Sequence, residues 1–349
     1  MRLMFIYWHV EDAGSAQTIY NYAQAAKALG HEVALYAALN PKSRFNCSLD
    51  VESADAVIFV LEWNIYLHNN EPLDLEGAVS KSQRKRRIVI DDDGMYNDVI
   101  RVDGDYNHLD LADSRVRTEL YESIADTILQ PTLHPRRPNV RTFLFHGYDP
   151  TWEVPLDFRH KEYGMFYVGS NWFRWRAMRR VLESIEPIRE RVGSIGVVGH
   201  NWDAPPRGVE PPLRDSAYCT DPQYLARLNV ELMPPVPLEQ VIRCMSKGVF
   251  NPVLVRPLFN HLRLVNPRLF ETPAANTIPL FYLDPEYVKE ICGDQALELV
   301  LRDDASEQIT DVLRRPDHYA GIVRGIRRHL TAKHSYIARL QELIDIIRH

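Results

Sequence analysis

The chain has 349 residues, 45% of them hydrophobic and 25% charged, and its 41 basic and 47 acidic side chains leave a formal net charge of −6. That length exceeds one ordinary core and fits two domains of about 150–180 residues each. The composition excludes disorder and fibrous repeats, the charge argues against nucleic acid as the main partner, and no apolar run reaches the roughly 18 residues of a membrane span.

The apolar start, Leu3 to Val10, is too short for a signal peptide and reads as a buried first strand. A loop with Gly14 and Ser15 follows. Ile19, Tyr22, Ala23, Ala26 and Leu29 then recur at helical spacing up to Gly30, a helix stop. Strands are expected at 33–36, 56–61, 88–90, 127–129 and 142–145. The basic run Lys81–Arg87 before the third of these reads as a solvated helix end; docking on an anionic membrane or a nucleic acid is the weaker alternative. The pattern restarts after Asp149-Pro150, with strands expected at 164–168, 195–198, 249–255, 277–282 and 297–301. Helices are expected at 174–191, 237–247, 305–313, 316–330 and 336–347, and a surface loop at 201–221. Strands alternating with helices imply an α/β fold of two tandem, doubly wound, Rossmann-like domains. The expected divisions are 1–152, 153–332 and a last segment, 333–349, whose helix returns to the first domain through one apolar stripe of Ile337, Leu340, Leu343 and Ile347. Cys47, Cys219, Cys244 and Cys292 are too dispersed for a zinc site or a disulfide framework and suit a reducing cytoplasm.

Ligands of such sheets lie beyond the carboxyl ends of the strands, so the loops there carry the chemistry. Gly14 opens a helix whose free N–H groups can hold an anion, although a plain helix start reads the same way. Gly169-Ser-Asn-Trp-Phe-Arg174-Trp-Arg176 repeats the arrangement with two arginines at a helix start. Cations oppose the helix dipole there, so a negative ligand between them gives a reason for both; solvated arginines are the other reading. The stretch from Asn251 to Asn276 contains Arg256, Arg263, Arg268 and Glu271. A carboxylate in a short helix can accept two hydroxyl hydrogen bonds, as a ribose diol requires, and the arginines can face phosphate. Pro273 must end or kink that helix, and Asn276 suits a left-handed helix end.

The Phe250-Asn-Pro252 stretch, Arg268-Leu-Phe-Glu-Thr-Pro-Ala-Ala-Asn-Thr-Ile-Pro-Leu280 and His334-Ser-Tyr-Ile-Ala-Arg339 resemble group 1 glycosyltransferases of the GT-B fold. The similarity is nearest to the branch resembling the spore-maturation protein CgeB and is clearest over about residues 164–345. The resemblance implies a nucleotide-diphosphate sugar bound by the second domain and a hydroxyl acceptor bound by the first. It further implies transfer without a metal and with retention of anomeric configuration. Glu271 matches the family's second conserved Glu, the ribose binder, and Gly169 with Arg174 or Arg176 falls where the diphosphate loop lies. Two positions depart from the pattern: Arg263 stands where the first Glu would be, and Asn276 replaces a glycine.

The expected donor site is therefore Gly169, Arg174, Arg176, Asn251, Arg263, Arg268 and Glu271. The expected acceptor side is Gly14, Trp63, Asp91 and Asp92, with Asp93 and His9 as the candidate catalytic pair. Asp91-Asp-Asp93 sits at a first-domain strand end, where aspartates hold or deprotonate a hydroxyl more naturally than they hold a metal; a carboxylate-rich turn is the alternative. Trp8, Trp63, Trp172, Trp175 and Trp202 fall in or beside these loops, where aromatic faces can pack on sugar rings, though Trp also simply fills cores. No cofactor is expected beyond the nucleotide-sugar substrate. An epimerase or phosphorylase of the same fold, and a non-catalytic nucleotide-sugar or nucleic-acid binding module, are the competing functions.

Overall fold

The computed structural model of the protein describes residues 1–7, 14–39, 43–62, 74–302 and 304–348. Its first half builds β1 (Arg2–Ile6), β2 (Glu32–Tyr36), β3 (Cys47–Ser48), β4 (Ala56–Leu61), β5 (Arg87–Asp91), β6 (Arg101–Val102), β7 (Asp105–Tyr106), β8 (Thr127–Gln130) and β9 (Val140–Thr142). Seven of these form one parallel sheet in the order β3-β2-β1-β4-β5-β8-β9, while β6 and β7 stand apart as an antiparallel hairpin. β4, Ala-Val-Ile-Phe-Val-Leu, is buried along its whole length, because helices cover both faces of a parallel sheet.

The second half builds β10 (Tyr163–Val168), β11 (Ile195–Val198), β12 (Val230–Met233), β13 (Gly248–Val253) and β14 (Ile278–Phe281), in the order β12-β11-β10-β13-β14. All four pairings are parallel. Each sheet reverses its winding beside its first strand, and that switch point opens a crevice at the strands' carboxyl ends. Among the described residues no helix is long and apolar enough to cross a membrane.

Several elements differ from the sequence expectation. Strand β9 ends at Thr142, yet Phe143 and Phe145 remain fully buried as the chain leaves the sheet. Residues 297–301 are not a strand: Asp294–Leu299 is a 3₁₀ helix whose three-residue spacing buries Ala296 and Leu299, and only Val300 bridges to Phe281. The segment 201–221 contains a helix, Pro211–Ala217. Edge strand β12 carries an exposed Glu231 and Leu232 and so lacks the apolar run of a central strand. Asn276 does not adopt the left-handed conformation. Its side chain instead accepts from the Asp157 N–H at 2.8 Å and donates to the Asp157 carbonyl at 2.9 Å, tying the inter-domain crossing down.

The last helix, Tyr336–Arg348, packs on Gly14–Ala28 of the first domain, so the chain does cross back. Its buried stripe is Tyr336, Leu340, Leu343 and Ile344, whereas Ile337, expected inward, is 50% exposed. Arg327, on the preceding helix Pro316–His334, is buried. It donates to the carbonyls of Pro273, Ala274, Ala275 and Val154 at 2.7–3.0 Å, capping the helix that carries Glu271.

The domains also meet directly. Ile100 packs with Leu258, Leu262 and Leu264, and a Cβ on Gly94 would stand 2.8 Å from Leu264 and 2.9 Å from Leu262. Asp105 in β7 is fully buried and pairs with Arg256 of the second domain at 2.7 Å.

Candidate active site

A crevice of about 370 Å³ lies beyond the carboxyl ends of β10 and β11, walled by Gly169, Ser170, Gly199, His200, the Pro235–Leu238 run and Arg268. Gly169 and Gly199 both have positive φ, and a Cβ on Gly199 would meet the Gly169 carbonyl at 2.3 Å. The two loops can therefore touch only as glycines. Trp202 Nε1 donates to the Gly169 carbonyl at 2.8 Å, so this tryptophan fixes the loop. Trp175 is buried core and Trp172 is half-buried beside Arg256.

Arg174 immediately precedes the helix Trp175–Ile185, whose N-terminus carries no side-chain cap. Arg174 donates to the Ser170 carbonyl at 2.9 Å, while its Nε is buried with no hydrogen-bond partner among the described residues. Burial pushes its pKa down, and the charges of Arg268 and Arg256 act in the same direction. Asp105, the carboxylate in its field, is already held by Arg256. The second domain thus aims an unneutralised cation at an uncapped helix start, an arrangement that an anion completes.

The other expected donor residues divide. Arg268 lines the crevice and pairs with Glu271, both on the short helix Arg268–Ala274. Arg263 is left-handed and turns toward Glu290, Asp284 and His134, away from that group. Arg176 is exposed and lies beside Gly104 in the hairpin turn. Asn251 is buried under the sheet edge, donating to the Met245 carbonyl and Thr277 Oγ1 at 2.9 and 2.8 Å.

On the first domain, Gly14 does begin a helix, Gly14–Ala28, and a Cβ there would stand 3.0 Å from Pro267 Cγ. The starts of Gly14–Ala28 and Arg268–Ala274 therefore abut, and the two half-sites face each other. Asp91 serves the loop: it accepts from the N–H groups of Met95 and Tyr96, from Tyr121 Oη and from Gln130 Nε2, at 2.7–3.1 Å. Burial raises its pKa to about 6. Asp92 Oδ2 accepts from Ser15 Oγ at 2.9 Å and lies 3.2 Å from His146 Nε2, while its Oδ1 is buried with no hydrogen-bond partner among the described residues. Asp93 is half-buried next to it. His9 and Trp63 lie outside the described residues.

The sequence reading missed Ser15, Thr18, Glu62, His146 and Tyr336 as site residues. Glu62 and His146 share one legible signal: each is the first polar residue after a buried apolar run, at 57–61 and 143–145. Glu62 accepts from Tyr7 Oη at 3.2 Å and contacts Ser15 Oγ. Burial, then the charges of Asp93 and Asp92, raise its pKa to about 8 against hydrogen bonds from Ser15 and Tyr7. Folded protein therefore binds one more proton at Glu62 than unfolded chain between pH 4.5 and 8, so stability falls as pH rises through that window. Glu62→Gln removes this slope, which reaches about 1.4 kcal/mol per pH unit. Urea unfolding at pH 5, 6.5 and 8 should give the variant a growing advantage; parallel curves would contradict the neutral Glu62.

Residues 176–345 match a family described as glycosyl transferase-like, and no curated protein sequence matches the chain. Solved structures match it end to end. T4 phage BGT in complex with UDP and Mn²⁺ aligns with a TM-score of 0.59 at 13% identity, covering 99% of this chain and 98% of that one. The DNA-modifying enzyme beta-glucosyltransferase aligns at 0.60 and 14%, covering 100% of both chains. An alpha-glucosyltransferase in complex with UDP and a 13-mer DNA containing a HMU base aligns at 0.67 and 12%, covering 100% and 99%. At these identities the likeness is one of fold. The chain thus has GT-B architecture, and a segment of its second half is similar to a family described as glycosyl transferase-like.

Proposed function

We propose that the protein is a glycosyltransferase that moves a sugar from a nucleoside diphosphate held by the second domain to a hydroxyl acceptor held by the first. The observation that carries this is Arg174, an unneutralised guanidinium bonded to the Ser170 carbonyl of the Gly169 loop, in a fold whose solved relatives include complexes with UDP and with UDP-glucose. The Gly169 loop, Arg174 and Arg268 take the diphosphate, and Glu271 turns from Arg268 to the ribose. The arginines and the helix start supply the charge that a cation would otherwise bring, so transfer proceeds without a metal. The CgeB-like branch and retention of configuration rest on the sequence resemblance alone, whereas a carboxylate on the acceptor side suits a single displacement with inversion; the anomeric coupling constant of the product decides between the two outcomes.

The acceptor side gathers the carboxyl groups of Asp92 and Asp93 beside Glu62, whose raised pKa reflects their charges, and no basic side chain bonds to Asp92 besides His146 among the described residues. An uncharged or cationic polyhydroxyl compound fits it better than a polyanion. The basic run gives a polyanion little purchase either: Arg84 binds the Glu122 and Ser123 carbonyls and Asp126, and Arg87 binds those of Val79, Ser82 and Ile124.

Calorimetry with UDP, GDP, ADP and dTDP tests the donor reading. One of them should bind at micromolar affinity in EDTA. Arg174→Ala should weaken it about tenfold to a hundredfold and Glu271→Ala at least about tenfold, since each loses charge-assisted hydrogen bonds of ~1.5–3 kcal/mol. Binding by none of the four, or by wild type and both variants alike, would overturn the assignment.

A further inference from the structure

Three side chains from separate elements form a buried polar chain that ends on Asp92. Tyr336 Oη, at the start of the crossover helix, lies 3.3 Å from Thr18 Oγ1 on Gly14–Ala28. Thr18 Oγ1 lies 2.7 Å from His146 Nδ1, and His146 Nε2 lies 3.2 Å from Asp92 Oδ2. Tyr336, Thr18 and His146 are 7%, 1% and 2% exposed, so water does not compete for these bonds.

With Asp92 as a carboxylate and one proton on the His146 ring, the chain runs in one direction. Asp92 has no proton to give when ionised, so His146 carries its proton on Nε2 and donates it to Oδ2. Nδ1 is then an acceptor and takes the Thr18 hydroxyl proton, which leaves the Thr18 oxygen to accept from Tyr336. Ser15 reaches the same Oδ2 from the other side and also touches Glu62. A Glu62 that keeps its proton donates it to Ser15, and Ser15 in turn donates to Asp92. Two arms therefore converge on Oδ2, and Oδ1 is the atom left without a partner among the described residues. A carboxylate held at one oxygen by two donors, with its other oxygen unused, is set to receive one further hydrogen.

We propose that Asp92 Oδ1 receives the acceptor hydroxyl and that His146, Thr18 and Tyr336 are positioning residues for it, so that the crossover helix completes the acceptor site as well as tying the domains together. The proposal rests on the transferase reading and assigns a role to the His334–Arg339 stretch that the donor site leaves unused. In the step it describes, an electron pair of the acceptor oxygen forms the bond to the anomeric carbon. The bond from that carbon to the diphosphate oxygen breaks with its pair leaving on the diphosphate, and the hydroxyl proton passes to Asp92.

Two measurements on the full chain test it. In protein labelled with ¹⁵N at histidine, the signal lost in His146→Gln should belong to a ring protonated at Nε2, and its shifts should move in both Asp92→Asn and Thr18→Val. A ring protonated at Nδ1, or one indifferent to Asp92→Asn, would overturn the chain. The second readout is UDP release from UDP-glucose in buffer containing glycerol as a generic hydroxyl acceptor. Asp92→Ala should lower kcat about 10²–10⁴-fold, the range of a lost general base. Thr18→Val and Tyr336→Phe should lower kcat about tenfold with the KM for UDP-glucose unchanged, and Thr18→Ser, which keeps the hydroxyl, should restore it. Equal kcat for Thr18→Val and Thr18→Ser would sink the positioning role. Failure of the wild type to bind UDP would count against the donor reading alone, because the histidine spectrum is read without any ligand.

Discussion

Removal of residues 336–349 is expected to abolish cooperative unfolding of the first domain. The helix Tyr336–Arg348 buries Tyr336, Leu340, Leu343 and Ile344 in the same cluster as Phe5, Tyr22, Phe143 and Phe145. Tyr22 is stacked between Phe5 and Phe145 and meets the edge of Tyr336 at 5.5 Å between ring centroids. Each large apolar side chain returned to water costs about 1.5–3 kcal/mol, so four cost on the order of 6–12 kcal/mol as an upper estimate. A whole domain is stable by about 5–15 kcal/mol, so the loss is comparable to everything the domain has. The second sheet keeps its own cluster and should still melt as a unit. Calorimetry of the truncated chain should therefore lose one transition and retain another. The single substitution Leu343→Ala, expected to cost about 2–5 kcal/mol, checks the mechanism in a chain that still folds. A truncated chain that melts like the full one would show that the helix does not hold the first domain.

The sheets were legible in the sequence because their strands are continuous apolar runs, and in a parallel sheet such runs can only be central. Arg2–Ile6, Ala56–Leu61 and Tyr163–Val168 are of this kind. What stayed illegible is short, or depends on partners far away in the chain. β6 and β7 have two residues each, although Asp103-Gly104 between them, both at positive φ, is a hairpin turn that the dipeptide alone announces. Ile337 was misassigned because an isolated helix shows its apolar residues but not which neighbour they meet. The second Rossmann-like domain is covered by another helix of its own, and the stripe that turns to Gly14–Ala28 runs through Ile344 instead.

The candidate site was half legible for a related reason. Gly169, Arg174, Arg268 and Glu271 announce themselves through local rules: glycine before a helix, cations where the dipole disfavours them, and a carboxylate on a short helix. Asp91, Asp92 and Asp93 are adjacent in sequence, yet the strand ending there sends them different ways. Asp91 faces four protein donors beneath the loop and Asp92 faces Ser15 and His146. Alternation along a strand predicts such a split but not which face looks into the crevice. The resulting division of charge is physical as well as topological. Guanidinium groups stand on the second domain, where the proposed diphosphate would lie, and carboxylates stand on the first, where the proposed hydroxyl acceptor would.

Asp105→Ala is expected to cost about 3–5 kcal/mol, because it strands a buried cation. Arg256 is 3% exposed and Asp105 fully enclosed, and two of the guanidinium nitrogens bond the carboxylate at 2.7 and 3.2 Å. Asp105 also accepts from the Leu258 N–H at 3.0 Å, so alanine leaves a backbone donor unpaired as well. Besides the Tyr106 carbonyl, to which it donates at 3.3 Å, Arg256 meets aromatic rings: Phe173 at 4.9 Å, Phe259 at 5.3 Å and Trp172 at 5.8 Å from the guanidinium carbon. Ring faces soften the loss by about 0.5–2 kcal/mol but cannot replace a carboxylate. Asp105→Asn keeps the bond to Leu258 and should lose less, which separates the backbone contribution from the charge. The damage should also reach the donor site. Trp172 and Phe173 belong to the loop that runs from Gly169 to Arg174, and Asp105 is the carboxylate felt by Arg174. With Asp105 gone, the hairpin should come loose from that loop and UDP affinity should fall along with stability. Arg256→Met in the Asp105→Ala background should recover much of the stability, because a buried charge is worse alone than absent. Urea unfolding of the two single variants and the double variant, with UDP calorimetry on each, gives the coupling directly. Losses that simply add in the double variant would mean that the pair does not join the domains.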